Sequence, residues 1–352
     1  MRRLPIFLLL DVSESMVGES LRQMQTGLDG LITTLRQDPY ALETVYLGVI
    51  AFAGRARTLS PLVDLASFNA PKLPIGSGTS LGAALDHTMA TLDKEVVGGS
   101  AGQKGDWRPI VFLVTDGRPT DNVEPALARW KAHYEKRATM VAIGVGTSVP
   151  LETLGRLTEN VFHLKGRTEK DFKTFISWIS QSISSQTRSV GLGKDVVGAP
   201  FRPMDGIVQL GKDTAANSYP RADEDLVIVP GRCGRTKLPY LIRYEKPQTV
   251  DDFIQGAWFG DSWNLVGAYP LDMGYFEWSE PPRGGALQVN SNRLRGTPPC
   301  PHCKATDAFV GCGCGQISCM NEGDSQVTCP TCGSTGEVRM VEGGFDVGRA
   351  LG

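Results

Sequence analysis

The chain has 352 residues, more than one hydrophobic core usually holds, so two or three domains are expected. With 41% hydrophobic residues, 21% charged residues and a formal net charge of -2, the composition is that of a globular protein. It excludes a disordered or fibrous chain, and the lack of a positive net charge argues against nucleic acid as the partner.

The first apolar run predicts neither a leader nor a membrane anchor. It follows Arg2 and Arg3 and ends at Asp11 without a small-residue cleavage site, so secretion is not expected. No apolar run approaches the roughly 20 residues that a membrane-spanning helix needs. Seven of the eight cysteines fall between Cys300 and Cys332, which is typical of metal binding in a reducing compartment. We therefore predict a soluble cytoplasmic protein with no membrane contact.

Residues 1–187 alternate short apolar runs with helical patterns. The predicted strands are 5–10, 45–53, 110–114, 140–145 and 161–164. The predicted helices are 19–36, 80–96, 124–136, 150–158 and 170–186. Strands and helices in alternation predict an α/β domain with a doubly wound, mostly parallel sheet.

The pattern changes after this first domain. Residues 188–215 are rich in Ser and Gly and predict a linker. Residues 216–345 predict a β-rich domain, with short strands at 226–229, 240–244, 265–269 and 286–289. Three tryptophans, Trp258, Trp263 and Trp278, are the candidate core of this domain.

Oxygen-bearing side chains follow several predicted strands of the first domain. Asp11, Ser13 and Ser15 come after the first strand, Asp116 follows a later strand, and Thr79 lies at a helix start. The carboxyl ends of parallel strands share one edge of the sheet, so these side chains are expected to converge. Oxygen ligands suit Mg²⁺, with Mn²⁺ or Ca²⁺ as alternatives. Ligation through neutral hydroxyls would leave the ion under-neutralised, so that it attracts a partner's carboxylate.

This set of residues resembles the metal-ion-dependent adhesion site of the von Willebrand factor A domain, over roughly residues 4–187. The resemblance implies direct ligation by Ser13, Ser15 and often Thr79, with Asp11 and Asp116 direct or through water. Catalytic alternatives lack their motifs, because no phosphate-loop lysine and no Gly-x-Ser-x-Gly elbow is present. We therefore predict no catalytic residues and no enzyme.

Cysteines carry the second candidate site. Two Cys-x-x-Cys knuckles, Cys300/Cys303 and Cys329/Cys332, are separated by 25 residues and predict one tetrahedral Zn²⁺ site between them. Three further cysteines, Cys312, Cys314 and Cys319, would need a fourth ligand for a second zinc, and we favour Cys233 over His302. The alternatives are one zinc with three free thiols, or disulfides.

The A domain, the β-rich segment and the cysteine cluster together resemble the TerY family of tellurite-resistance-associated bacterial proteins. The resemblance implies a cytoplasmic stress or signalling role alongside a serine/threonine kinase and a metal-dependent protein phosphatase. The predicted function is a non-catalytic adaptor that captures a partner carboxylate on Mg²⁺. The alternatives are a metal-dependent phosphoryl-processing enzyme and a nucleic-acid binder acting through a zinc ribbon.

Overall fold

The computed structural model of the protein describes residues 2–99, 104–146, 149, 151–164, 168–191, 200–204, 206–209, 226–247, 262–279 and 287–350, with only the backbone described for 189–191. It separates into two compact units, Met1–Pro74 with Thr79–Pro220, and Ile75–Gly78 with Arg221–Gly352. No helix in these described stretches combines the length and apolar character needed to cross a bilayer.

The first unit is built on a seven-stranded mixed sheet. Its strands are β1 Leu4–Asp11, β2 Val45–Phe52, β3 Ala56–Asp64, β4 Ile110–Thr115, β5 Thr139–Val145, β6 Val161–Leu164 and β7 Ile207–Gln209. They lie in the order β3-β2-β1-β4-β5-β6-β7, with β3 and β7 antiparallel at the two edges and the inner five parallel. β1 and β4 are buried at every residue, as their continuous apolar runs predict for central parallel strands.

Helices accompany this sheet. They are α1 Glu19–Arg36, α2 Pro39–Thr44, α3 Leu81–Glu95, α4 Glu124–Arg129, α5 Leu151–Leu157 and α6 Glu169–Gly191, with a 3₁₀ turn at Glu14–Met16. α1 buries the stripe Met24, Leu28, Leu31, Ile32 and Leu35, which recur at helical spacing. α2 begins where Asp38 caps the backbone N–H of Tyr40, with Pro39 at the first position.

The first unit confirms the predicted α/β class and corrects some boundaries. The predicted linker at 188–215 is wrong in two places, because α6 continues to Gly191 and β7 pairs with β6. β7 has three residues and buries only the side chain of Ile207, so its pattern is too short to be recognised in the sequence. The predicted helix at 124–136 is interrupted, since α4 passes into a π-helical turn at Trp130–Tyr134.

The second unit is rich in β-structure. Its elements are β8 Leu226–Arg232, β9 Pro239–Glu245, β10 Trp263–Pro270, α7 Gly274–Trp278, β11 Gln288–Asn290, a 3₁₀ turn Ser291–Arg293, β12 Leu294–Arg295, β13 Asp307–Gly311, β14 Ile317–Met320, β15 Gln326–Thr328, β16 Thr335–Glu337 and β17 Asp346–Gly348. Six strands form one sheet in the order β12-β10-β9-β8-β14-β13. The pairs β11–β17 and β15–β16 are separate two-stranded ladders.

The core of the second unit lies on this six-stranded sheet. Val227, Tyr240, Ile242 and Trp263 are among its buried members. Trp278 is also buried, on α7, whereas the predicted core residue Trp258 lies outside the described residues. The predicted domain end at 345 is short by one strand, because β17 pairs with β11 and buries Val347.

Candidate metal sites

The predicted oxygen ligands lie at the carboxyl ends of two neighbouring strands. β1 and β4 are parallel and aligned at Leu10 and Val114, so their ends meet at one edge of the sheet. Asp11 is the last residue of β1, and Asp116 follows β4 directly. Together with Ser13, Ser15 and Thr79 they form what we call the oxygen-ligand site.

Hydrogen bonds join four of these five residues. The Ser13 backbone N–H donates to Asp11 Oδ1 at 2.9 Å, and the hydroxyl oxygens of Ser13 and Ser15 are 2.9 Å apart. The Ser15 hydroxyl donates to Asp116 Oδ1 at 2.7 Å. All five residues of the site are at most 4% exposed. The strand ends therefore bring these four groups into one buried cluster.

Thr79 completes the cluster from the residues before α3. Its Oγ1 is buried and makes no hydrogen bond. A Cβ placed on Gly117 would lie 2.9 Å from that oxygen and 3.7 Å from Ser15 Oγ, so the glycine keeps the space beside both hydroxyls open. A buried hydroxyl oxygen without a partner is costly unless something else satisfies it. The donor set and this orphaned oxygen fit a hard cation.

Residues outside the predicted set hold these ligands in place. The Thr115 hydroxyl donates to Asp11 Oδ2 at 2.5 Å. The Thr79 backbone N–H donates to Thr120 Oγ1 at 2.9 Å, and the Asp121 carboxylate accepts from the first N–H groups of α3 at 2.9 and 3.1 Å. Thr115 directly precedes the predicted ligand Asp116, and Thr120 follows it by four residues. Such proximity in the sequence is only a weak indication that a residue supports the site. Asp121 caps a helix 39 residues earlier in the chain, which no local pattern predicts.

The electrostatics of the oxygen-ligand site favour a bound cation. Burial, followed by the nearby charge of Asp116, raises the pKa of Asp11 to about 7. Two carboxylates in one buried cluster repel each other, and a divalent ion between them would offset both charges.

The eight cysteines are all described, and none forms a disulfide. They form two groups of four in which all sulfur atoms lie within 4.8 Å of one another. The core-side cluster consists of Cys233, Cys300, Cys303 and Cys319. The hairpin cluster consists of Cys312, Cys314, Cys329 and Cys332.

The predicted pairing of the two knuckles in one zinc site is therefore wrong. β14 pairs in parallel with β8, aligning Ser318 with Arg232, so the next residues, Cys319 and Cys233, are brought together. The knuckle Cys300/Cys303 joins that pair. The second knuckle instead meets the Cys-Gly-Cys segment that connects β13 to β14. His302 is in neither group, and its Nε2 lies 2.8 Å from the carbonyl oxygen of Pro239.

Sulfur spacing in both clusters fits a tetrahedral thiolate site. A Zn–S bond near 2.3 Å places tetrahedral sulfurs about 3.8 Å apart. In the core-side cluster, Cys319 Sγ lies 3.6 Å from Cys303 Sγ and 3.9 Å from Cys233 Sγ. In the hairpin cluster, the pairs Cys312–Cys332 and Cys314–Cys329 are separated by 3.7 and 3.8 Å.

Each cluster also contains a thiol whose ionisation is favoured. Hydrogen bonds from Ser334 lower the pKa of the Cys332 thiol to about 6. Although burial opposes the charge on Cys233, hydrogen bonds from Thr236 lower its pKa to about 6. In the same clusters, burial raises the pKa of Cys300 and Cys319, and the pKa of Cys312 is also raised. Metal ligation requires thiolates, so the hydrogen bonds favour the ligand form at Cys233 and Cys332 only.

Comparison with known families agrees with this geometry. Residues 6–179 match the model of the von Willebrand factor type A domain, and residues 223–352 match the TerY-C metal binding domain. The chain has the TerY-type architecture, a von Willebrand factor type A domain followed by a TerY-C metal binding domain. In this TerY-type chain, the oxygen-ligand site lies within the first match and both cysteine clusters lie within the second. No curated protein is similar enough to count as a relative.

Two of the solved structures that are similar to the TerY-type chain match it at low sequence identity. Proximal thread matrix protein 1 from the mussel byssus is 19% identical, with a TM-score of 0.39, over 52% of this chain and 48% of that one. A von Willebrand factor type A protein from Catenulispora acidiphila is 12% identical, with a TM-score of 0.41, over 77% of this chain and 66% of that one. The chain thus spans about half the length of the mussel protein. Likenesses this weak carry no functional argument.

Proposed function

We propose that this protein is a non-catalytic adaptor that captures an acidic side chain of a partner protein on a Mg²⁺ ion in the oxygen-ligand site. The observation that carries the proposal is the Thr79 hydroxyl oxygen, which is buried without a hydrogen bond and borders the same space next to Gly117 as the hydroxyl of Ser15. Mg²⁺ prefers oxygen ligands and keeps part of its shell for water or substrate. Bound there, it would leave a position for a carboxylate from outside.

The depth of the oxygen-ligand site restricts its partner. Its five side chains are at most 4% exposed, so the proposed carboxylate must come on a side chain that projects into the protein. A flat acidic surface would not reach the ion. We propose that the partner presents a single Glu or Asp on a protruding loop.

The second unit enters the proposal as a zinc-binding module. Eight thiols in two groups of four, with tetrahedral spacing, support one Zn²⁺ in each group. Structural zinc supplies roughly 10–16 kcal/mol in small zinc domains, enough to fold segments that lack a large core. Eight thiolate ligands also suit a reducing compartment, so we propose a cytoplasmic location.

The cellular setting is proposed from the TerY-type domain architecture alone. We propose a bacterial stress or tellurite-resistance system in which the partners include a serine/threonine kinase and a metal-dependent protein phosphatase. The ligand chemistry supports a protein with an acidic residue as the partner of the oxygen-ligand site.

The test is capture by the full-length, immobilised, zinc-loaded protein with Mg²⁺ present or withheld. The probes are a peptide with one glutamate, its glutamine counterpart, and an extract of the native cell. We expect capture of the glutamate peptide only with Mg²⁺, and loss of capture in Asp11→Ala. Asp86→Ala is the control, because Asp86 forms a surface ion pair with Arg129 in the same unit.

Two results would overturn the adaptor proposal. One is capture of the glutamate peptide that persists without Mg²⁺ or in Asp11→Ala. The other is turnover of a phosphoester such as p-nitrophenyl phosphate that needs Mg²⁺ and disappears in Asp11→Asn, which would favour an enzyme.

A further inference from the structure

The two cysteine clusters lie in different surroundings. Cys233 and Cys300 of the core-side cluster are 0% exposed, and all its members belong to or pack against the hydrophobic core of the second unit. In the hairpin cluster, Cys314 and Cys332 are exposed, and none of its four members belongs to that core. The chain therefore contains two four-cysteine clusters, of which the core-side cluster is buried and the hairpin cluster is partly exposed.

The chain around the hairpin cluster has little besides the ligands to hold it folded. Residues 321–343 contain a single buried residue, Cys329, which is itself a ligand. β15 and β16 form a two-stranded hairpin of three residue pairs, from Gln326↔Glu337 to Thr328↔Thr335. An isolated hairpin of this size is marginally stable at best in water. The folded state of the hairpin therefore depends on an ion that links Cys329 and Cys332 to Cys312 and Cys314 in the β13–β14 connection.

The core-side cluster has independent support. Cys319 lies within β14, and Cys233 directly follows β8, which pairs with β14 in the six-stranded sheet. Nearby, the buried hydroxyl of Tyr240 donates to the carbonyl oxygen of Ala308 at 2.6 Å. Opening this cluster would expose the core of the second unit, which is a much larger unfolding event than opening the hairpin.

We propose that the hairpin cluster is an exchangeable zinc site, whereas the core-side cluster holds its zinc permanently as part of the fold. Loss of zinc from the hairpin cluster unfolds the hairpin formed by residues 326–337 and leaves the six-stranded sheet intact. The proposal rests on zinc as the ion of the cysteine clusters but not on the Mg²⁺ function of the first unit. The free zinc concentration then decides whether the hairpin surface is folded.

The difference in zinc release is expected to be large. Local opening costs range from nearly zero for segments with few buried contacts to the full unfolding free energy for core segments, so we expect release from the hairpin cluster to be at least about a hundred-fold faster.

The experiment uses the full-length protein loaded with two zinc ions and a chromophoric zinc chelator in excess. We expect release in two phases of one ion each. Amide hydrogen exchange after the fast phase should show lost protection at residues 326–337 and retained protection in β8 and β9. A protein purified with one zinc that takes up a second on addition of Zn²⁺ would support the same conclusion.

Two variants assign each phase of zinc release to one cluster. They are matched, because each replaces the second cysteine of a Cys-x-x-Cys knuckle. Cys332→Ser should remove the fast phase and leave the thermal unfolding of the second unit nearly unchanged. Cys303→Ser should lower that unfolding temperature strongly or prevent folding. If Cys303→Ser does not fold, the release curve and the exchange pattern of the unaltered protein still decide the question.

Several outcomes overturn the proposal. Release of both ions in one phase, equal destabilisation by the two variants, or one retained zinc with no uptake of a second would each do so. Binding of no zinc at either cluster would instead refute the zinc assignment itself, so the two failures are distinguishable.

Discussion

Gly117 offers a test of the oxygen-ligand site that leaves every ligand in place. In Gly117→Ala the new Cβ would lie 2.9 Å from Thr79 Oγ1. This is inside van der Waals contact, so the hydroxyl must retreat by about 0.5 Å. Mg²⁺ demands nearly ideal octahedral ligands at close to 2.0 Å. We expect the dissociation constant for Mg²⁺ to rise about ten-fold, which equals about 1.4 kcal/mol.

The assay is thermal unfolding of the zinc-loaded full chain during Mg²⁺ titration. At a hundred times its dissociation constant, Mg²⁺ would stabilise the unaltered first unit by about 2.7 kcal/mol, and at the same concentration it would stabilise Gly117→Ala by about 1.4 kcal/mol. For a unit of this size the difference corresponds to about 3–5 °C in Tm. Without Mg²⁺ the crowded hydroxyl should cost Gly117→Ala about 1–3 kcal/mol, so the Mg²⁺-dependent rise in Tm is compared with each protein's own metal-free Tm.

Gly30→Ala is the matched control. Gly30 lies on α1, and a Cβ there meets nothing within 4 Å. The substitution should stabilise the helix by about 1 kcal/mol and leave the Mg²⁺ dependence unchanged. If Gly117→Ala responds to Mg²⁺ at the same concentrations as the unaltered protein, Thr79 is not a ligand of the ion.

Three other substitutions test neighbouring contacts. Asp121→Ala removes the carboxylate that caps α3 and should cost about 1 kcal/mol in urea unfolding of the first unit, together with weaker Mg²⁺ binding. Tyr240→Phe leaves the Ala308 carbonyl without its buried hydroxyl donor and should lower the stability of the second unit by about 1–3 kcal/mol, measured by thermal unfolding in excess zinc. Gly231→Ala places a Cβ 2.4 Å from the Tyr240 ring and should destabilise the same unit by about 1–3 kcal/mol, with the Mg²⁺ response of the first unit as the internal control.

The sequence predicted the oxygen-ligand site because its geometry follows from strand order. Asp11 and Asp116 follow apolar runs that are typical of the inner strands of a parallel sheet, and neighbouring parallel strands end at the same edge. The edge strands were not predicted. β3 is only partly buried and contains Pro61, so it lacks both the continuous apolar run and a clean alternation.

The sequence did not predict how the cysteines divide. Two knuckles of identical spacing are the simplest pair by local pattern, but their grouping depends on which distant strand lies beside each one. Cys319 meets Cys233 because β14 pairs with β8, a contact between residues 86 positions apart. Cys312 and Cys314 lie in the turn after β13 and form a cluster with the second knuckle, Cys329/Cys332. Tertiary strand pairing thus overrides the local signal.

Ligand chemistry also decides which ion reaches which site. Thiolates select zinc, whereas carboxylates and hydroxyls suit Mg²⁺, although ligand type alone does not keep zinc out of an oxygen site. Because one chain carries both kinds of ligand, we expect added zinc to fill the thiolate clusters first and to reach the oxygen-ligand site only after they are filled. A broad chelator such as EDTA empties both kinds of site, so lost binding in EDTA cannot be assigned to either ion. Mg²⁺ titration of a chain whose cysteine clusters are already filled isolates the ion that would face the partner.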